Sequence, residues 1–167
     1  DPLVMAGQGT AGLEIVEDLP DDAAVITAIG GGGLIAGVAC GVKARSKRVR
    51  VLGAEPESAA PGAASFAARA PMKFGRWQAT FVDGAGGKSI FPRMWDRMKD
   101  VVDGSIVVTL DDVKRAMRVL AESARVIAEG AGALPVAAAL SGKAGMGPVV
   151  AVVSGGNIDL AKFHELV

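Results

Sequence analysis

The sequence predicts an α/β fold in which helices cover both faces of an open parallel sheet. Short apolar runs alternate along the chain with longer helical patterns, an order typical of parallel βαβ units. The 167 residues are half hydrophobic, which is enough for one domain with a sizeable core. The run Ala23–Ile29 enters four consecutive glycines and then a helical pattern. Together these observations indicate strands that end in glycine-rich loops.

The first third of the chain predicts a βαβαβ unit. Each apolar run is taken as a buried strand, and each spaced apolar pattern as a helix. The predicted strands are Leu3–Ala6, Ala24–Ile29 and Val49–Ala54; the helices run from about Ala11 to Leu19 and from the glycines to about Lys43.

The remaining elements continue the alternation after a weakly patterned stretch, Ser58–Lys88. A capping threonine and first-turn acids, Thr109-Leu110-Asp111-Asp112, predict a helix that runs to about Ala124. The other predicted helices are Ala63–Arg69, Met94–Met98, Leu134–Leu140 and Asp159–Val167, and the other strands are Ser105–Thr109 and Val149–Val153.

Charge and cysteine usage exclude several classes of function. The 18 basic and 18 acidic residues balance and form no block, so neither nucleic acid nor a membrane surface is the expected partner. The single cysteine, Cys40, allows no disulfide framework or thiolate cluster and predicts a cytoplasmic location. No apolar run reaches the roughly 18 residues of a membrane span.

The four glycines Gly30–Gly33 predict a phosphate-binding loop. Glycine is retained where backbone must approach a bulky group or adopt positive φ. A strand that runs through such a loop into a helix directs free N–H groups and the positive helix end at one point. We therefore expect an anion there.

Two other glycine motifs offer alternative interpretations. Gly7–Gly12 matches the dinucleotide pattern G-x-G-x-x-G, but the strand that follows it ends in glycines instead of the acid needed for ribose. Gly31–Ala36 is a second partial match, and its next strand ends at Glu55. A dinucleotide-binding module is therefore kept as an alternative. Gly87-Lys88-Ser89 resembles the end of a Walker A motif, but the earlier glycine is missing, so a plain loop is expected.

Glu129 and Ser154 each lie at a junction where a predicted buried element is followed directly by glycine. Taken singly, each fits an ordinary helix start or cap. Ligands of open α/β sheets bind at the C-terminal ends of strands. Together with the phosphate loop, the two residues predict one pocket.

Three ordered motifs, GGGGL, EGAGALPVAA at Glu129–Ala138 and VVSGGNID at Val152–Asp159, resemble the pyridoxal-phosphate enzymes of fold type II, the tryptophan synthase β fold. Within that fold the sequence is similar to the threonine/serine dehydratase and serine racemase branch. DPLVMAGQGTAGLEI and the Asp83-Gly84 pair strengthen the likeness, which covers nearly the whole chain.

The resemblance implies pyridoxal 5'-phosphate as the cofactor. The residues that it assigns to cofactor binding are Gly30, Gly31, Gly32, Gly33, Leu34, Gly84, Glu129 and Ser154. Glycine amides would hold the phosphate, Gly84 and Glu129 would lie near the ring, and the Ser154 hydroxyl would meet the pyridine nitrogen. A hydroxyl at that nitrogen fits β-elimination or reprotonation better than transamination.

Two departures from the family pattern affect the expected activity. The Schiff-base lysine, in a Ser-x-Lys setting, precedes everything matched here, and the chain starts abruptly at Asp1. We therefore expect the C-terminal part of the catalytic domain, inactive by itself. Relatives with a divalent cation use a glutamate, a carbonyl and an aspartate; Glu55 and Ala59 match, but Pro61 replaces the aspartate.

The resemblance implies a lyase that converts L-threonine or L-serine to a 2-oxo acid and ammonia. A serine racemase or a β-replacing synthase is the nearer alternative, and a non-catalytic partner or regulatory fragment is an alternative of another class. The expected partners are a small amino-acid substrate, the N-terminal half, and further copies in a homo-oligomer, since the family is usually dimeric.

Overall fold

The computed structural model describes residues 1–21 and 23–167. The strands in these ranges are β1 (Ala24–Ala28), β2 (Arg50–Pro56), β3 (Gly104–Val108) and β4 (Val149–Ala151). They pair in parallel in the order β3-β2-β1-β4. All of their C-terminal ends therefore lie at one edge of the sheet.

The helices of the described residues flank this sheet. They are α1 (Pro2–Asp18), α2 (Gly33–Arg45), α3 (Pro61–Ala68), α4 (Pro92–Met98), α5 (Leu110–Val119), α6 (Gly130–Leu140) and α7 (Leu160–Leu166). A π-helical turn, Leu120–Ala124, continues α5. None of the helices in the described part of the chain is long and apolar enough to cross a bilayer.

The core has two layers, one on each face of the sheet. Alternate side chains of β1 point to opposite faces, so Ile26 packs with Leu134 of α6 while Val25 packs with Val38 of α2. Every residue of β1 is buried. The predicted parallel sheet with helices on both faces is confirmed.

The predicted strand Leu3–Ala6 is wrong, because these residues form the first turns of α1. Asp1 caps this helix, its carboxylate accepting from the Leu3 amide at 2.8 Å, and Pro2 occupies the first position. A four-residue apolar run does not distinguish helix from strand by periodicity. The cap and the proline were the overlooked signals.

The dinucleotide interpretation of Gly7–Gly12 is wrong for the same reason. These residues lie inside α1, with no strand before them. The helix packs closely on α2, and a Cβ at Gly12 would overlap the Val38 carbonyl. The motif therefore serves helix packing.

The other predicted helices and strands are present with shifted bounds. The largest shift is in α1, which begins at Pro2 instead of at about Ala11. Helix α6 begins at Gly130, directly after Glu129, instead of at Leu134. The predicted cap of α5 is a full capping box, in which the Asp112 amide donates to Thr109 Oγ1 at 3.1 Å and Thr109 donates back to the Asp112 side chain.

Candidate functional site

A cavity of about 360 Å³ opens at the C-terminal edge of the sheet. It lies where ligands of open parallel sheets bind. All of the residues predicted to bind the cofactor line it: Gly30, Gly31, Gly32, Gly33, Leu34, Gly84, Glu129 and Ser154. The fold thus brings together residues that are more than a hundred positions apart in sequence.

The glycine loop joins β1 to α2 through one left-handed residue. Gly32 has φ +86° and is the N-cap of α2. A Cβ on Gly32 would lie 2.6 Å from Met94 Cγ and 2.9 Å from Met98 Sδ, both on α4. Glycine is therefore required at this position by conformation and by space.

The N-terminus of α2 presents its amides to the cavity without a competing group. Gly32 has no side-chain cap, and the first turn of α2 contains no acidic residue. A Cβ at Gly31 or Gly33 would meet nothing within 4 Å. Because the helix end carries positive partial charge and unpaired N–H groups, this wall is suited to an anion.

The opposite wall consists of residues that follow the C-terminal end of β4 and residues at the start of α6. The Val152 amide donates to Ile26 O at 3.0 Å, so β4 remains beside β1 as it approaches Ser154. The Glu129 amide donates to Gly155 O at 3.2 Å, which fixes the start of α6 against the glycines after Ser154. Glu129 is half-buried and Ser154 is exposed.

The loop that carries Gly84 closes the edge of the cavity. Gly86 N donates to Ile29 O at 3.0 Å, which ties the loop to the end of β1. A Cβ on Gly84 would lie 3.0 Å from Ala131 Cβ, and one on Gly30 would lie 3.1 Å from Gly84 O. Gly84 is therefore packed between the glycine loop and α6.

Sequence reasoning missed four further wall residues, which are Val4, Gln8, Ala28 and Ala131. Val4 and Gln8 are four positions apart and share one face of α1. Their spacing would have indicated this face if the segment had been identified as a helix.

The Glu55 carboxylate is directed into the protein and not toward an open site. The side chain is fully buried, and it accepts from the amides of Gly62 and Ala63 and from Ser105 Oγ, each at 2.7 Å. Burial raises the pKa of Glu55, and these hydrogen bonds partly offset the rise.

This arrangement offers little to the divalent cation considered with Glu55 and Ala59. Pro61 is the first residue of α3, and the helix end that it opens binds both Glu55 oxygens. The described residues contain no group of three or more His, Cys, Asp or Glu side chains that could hold a metal.

The polar groups that line the cavity suit those of pyridoxal phosphate. The side-chain-free backbone at Gly31 and Gly33, with the uncapped end of α2, suits the phosphate. The Ser154 hydroxyl forms no hydrogen bond with another described residue and faces the same space. No lysine lines the cavity among the described residues.

The known proteins to which the chain is similar include threonine dehydratases and a serine racemase. The chain is 42% identical over its full length to the catabolic L-threonine dehydratase TdcB of Staphylococcus aureus strain N315, and it covers 49% of that protein. It resembles the crystal structure of a T.th. threonine deaminase, with 38% identity and a TM-score of 0.87 over 95% of this chain and 59% of that one. Maize serine racemase is similar too, with 35% identity and a TM-score of 0.85 over 96% and 52% of the two chains.

The chain spans about half the length of the curated relatives it matches. The family model described as pyridoxal-phosphate dependent enzyme matches residues 1–155. That match covers most of the sequence and includes the phosphate loop, the Gly84 loop and Ser154. The chain therefore belongs to the family of pyridoxal-phosphate dependent enzymes.

Proposed function

We propose that this chain forms the cofactor-binding half of an ammonia-lyase that converts L-threonine or L-serine to a 2-oxo acid and ammonia. One observation carries the proposal: the residues expected around the phosphate, the ring edge and the ring nitrogen all line one cavity. The identity of 42% to a threonine dehydratase supports the substrate class.

The phosphate end of the site is assigned to Gly30–Gly33 and Leu34. Backbone amides of these residues would donate to the phosphate oxygens, and the positive end of α2 would add a favourable field. Because glycine has no side chain, the anion can approach the backbone directly. The side chains of Met94 and Met98 lie directly beside Gly32, in the space that a Cβ on this residue would need.

The nitrogen end of the site is assigned to Ser154. When bound, pyridoxal phosphate supplies an electron sink for charge that develops at the substrate α-carbon. The Ser154 hydroxyl can donate or accept a hydrogen bond without holding a proton on the ring nitrogen. This property supports elimination over transamination. Glu129 and Gly84, which line the same cavity, would contact the ring at its edge.

The remaining catalytic groups are assigned to sequence outside these residues. The lysine that carries the cofactor and the loop that binds the substrate carboxylate have no counterpart on the cavity wall of the described chain. We propose that a preceding half supplies both, so that these residues are the C-terminal part of the catalytic domain and are inactive alone. A dimer and a cytoplasmic location, the latter supported by the lone Cys40, complete the proposal.

The test uses the complete protein encoded by the gene that contains this chain. After loading with pyridoxal phosphate, it should release 2-oxobutanoate from L-threonine and pyruvate from L-serine, with one ammonia for each. Gly31→Val should abolish loading, because its side chain enters the open space of the cavity. Gly75→Val is the matched control: Gly75 also has open space around it but lies outside the cavity.

Three results would contradict the proposal. Loading of Gly31→Val at the wild-type level would show that the phosphate lies elsewhere. Binding of NAD but not of pyridoxal phosphate would favour a dinucleotide module. Normal loading of the complete protein, with no turnover of any β-hydroxy amino acid, would favour a non-catalytic regulatory role.

A serine racemase is the second candidate, and the likeness to maize serine racemase favours it. Chiral chromatography of the same reactions separates the two activities. D-serine that forms faster than pyruvate would assign racemisation as the main reaction.

A further inference from the structure

A second, open cleft of about 310 Å³ adjoins the cofactor cavity. The two spaces share Gly30, Gly31 and Gly84, so only glycine backbone separates them. The far wall of the cleft consists of Trp77 and the segment 83–88. Ser154 lines the cofactor cavity but not the cleft, which places the cleft on the side away from the ring-nitrogen position.

Hydrogen bonds hold the aromatic wall of the cleft in place. Trp77 Nε1 donates to Gly86 O at 3.1 Å, and the Phe74 amide donates to Lys88 O at 2.9 Å. The indole is still 37% exposed. A fixed aromatic face thus borders open space next to the cofactor.

Two opposite charges border the same space. Lys88 Nζ lies 4.4 Å from the centroid of the Trp77 ring. Neither Lys88 nor Asp83 forms an ion pair with a described residue, and both are exposed. The cleft therefore offers an ammonium that lies over the Trp77 ring and a carboxylate, and neither of the two charges is neutralised by an ion pair among the described residues.

We propose that this cleft is a staging site for the free amino-acid substrate. Lys88, which lies over the Trp77 ring, binds the α-carboxylate and Asp83 the α-ammonium, while the side chain of the amino acid contacts the part of Trp77 that Lys88 leaves uncovered. A zwitterion matches this set, since each of its charges meets the opposite one. The choice of L-threonine as ligand rests on the proposed function. The recognition of a zwitterion rests on the cleft alone.

Staging beside the cofactor has a kinetic consequence. An amino acid held in the cleft is already next to Gly30 and Gly84, so it enters the cofactor cavity faster than an amino acid from bulk solution does. Lys88→Met in the complete enzyme should therefore raise KM for L-threonine and leave kcat within about twofold.

Binding is tested on the complete protein after removal of the cofactor, so that reaction with the cofactor cannot contribute. Calorimetric titration with L-threonine should give a dissociation constant on the order of 1 mM. Lys88→Met and Asp83→Asn should each weaken binding by at least about fivefold. L-Threonine methyl ester and N-acetyl-L-threonine, which each lack one charge, should show the same loss on the wild type. Lys99→Met is the matched control, because Lys99 pairs with Asp96 outside the cleft.

A second readout follows Trp77 itself. Trp77 borders the cleft, whereas Trp95 is buried, so the component of saturable quenching by L-threonine that arises from Trp77 should be missing in Trp77→Phe. Circular dichroism verifies that each variant is folded. Equal affinities of wild type and Lys88→Met, or the absence of saturable binding at tenfold the expected constant, would overturn the staging site. Neither result depends on whether the loaded enzyme eliminates or racemises.

Discussion

Replacement of Gly32 by alanine is the sharpest test of how the phosphate loop is built. The new Cβ would lie 2.6 Å from Met94 Cγ and 2.9 Å from Met98 Sδ. It would also have to occupy φ +86°. At Gly31, in contrast, a Cβ meets nothing within 4 Å. Gly32→Ala should therefore destabilise the fold, while Gly31→Ala should mainly obstruct the cavity.

The expected destabilisation has two parts. The left-handed conformation costs a residue with a side chain about 1–2 kcal/mol. Displacement of the two methionines in a packed region adds about 1–3 kcal/mol. The free energy of unfolding should fall by about 2–5 kcal/mol in total, which for a domain of this size lowers Tm by about 4–20 °C. Gly31→Ala should change the free energy of unfolding by less than about 0.5 kcal/mol.

Urea denaturation followed by circular dichroism measures both variants, and titration with pyridoxal phosphate gives their affinities. The double variant Gly32→Ala/Met94→Ala should show a coupling of about 0.5–3 kcal/mol, because removal of the Met94 side chain relieves part of the overlap. Equal stability of Gly32→Ala and wild type would refute the argument. So would an equal loss in Gly31→Ala.

Two further predictions concern the remainder of the fold. Burial raises the pKa of Glu55 above its ordinary 4.5, so the folded protein retains this proton to higher pH than the unfolded chain does. Its contribution to the free energy of unfolding therefore falls as pH rises from 4.5 through the raised value. Glu55→Gln should make the free energy of unfolding less dependent on pH over this range, as measured by denaturant titrations at a series of pH values. An unchanged pH dependence would contradict the raised pKa of Glu55. Gly12→Leu should separate α1 from α2, because any Cβ at Gly12 overlaps the Val38 carbonyl; a loss of at least about 2 kcal/mol is expected in thermal unfolding. Gly7→Leu, on the same helix with open space around its Cβ, is the control and should melt within about 2 °C of wild type.

The sequence was informative wherever a local signal had one interpretation. Ala24–Ile29 is apolar except for Thr27 and is followed by glycines, and the structure has β1 and the glycine loop there. The Thr109 to Asp112 spacing predicted the start of α5, which is a capping box. Such signals arise from hydrogen bonds and burial within a few residues, so they can be recognised without the fold.

The same reasoning failed where two structures share one local pattern. Leu3–Ala6 and Gly7–Gly12 fit a strand and a turn, yet they form a helix whose glycines pack against α2. Local periodicity does not separate the two, and the local signals that favour the helix are the Asp1 cap and Pro2. The close packing of its glycines on α2 involves residues farther along the chain, which periodicity does not report. Val4 and Gln8 were missed as wall residues for this reason.

By itself, the sequence determined the alternation of strands and helices, the glycine bend after β1 and the motifs that link the chain to its family. Only the tertiary structure decided that β4 pairs with β1, which brings Ser154 and Glu129 to the same cavity as Gly30–Gly33. The order of strands in a parallel sheet depends on which helices cover which face, and that is a property of the whole packed core. The inward direction of Glu55 was decided in the same way, because the amides that bind it belong to a helix that only the fold places beside it.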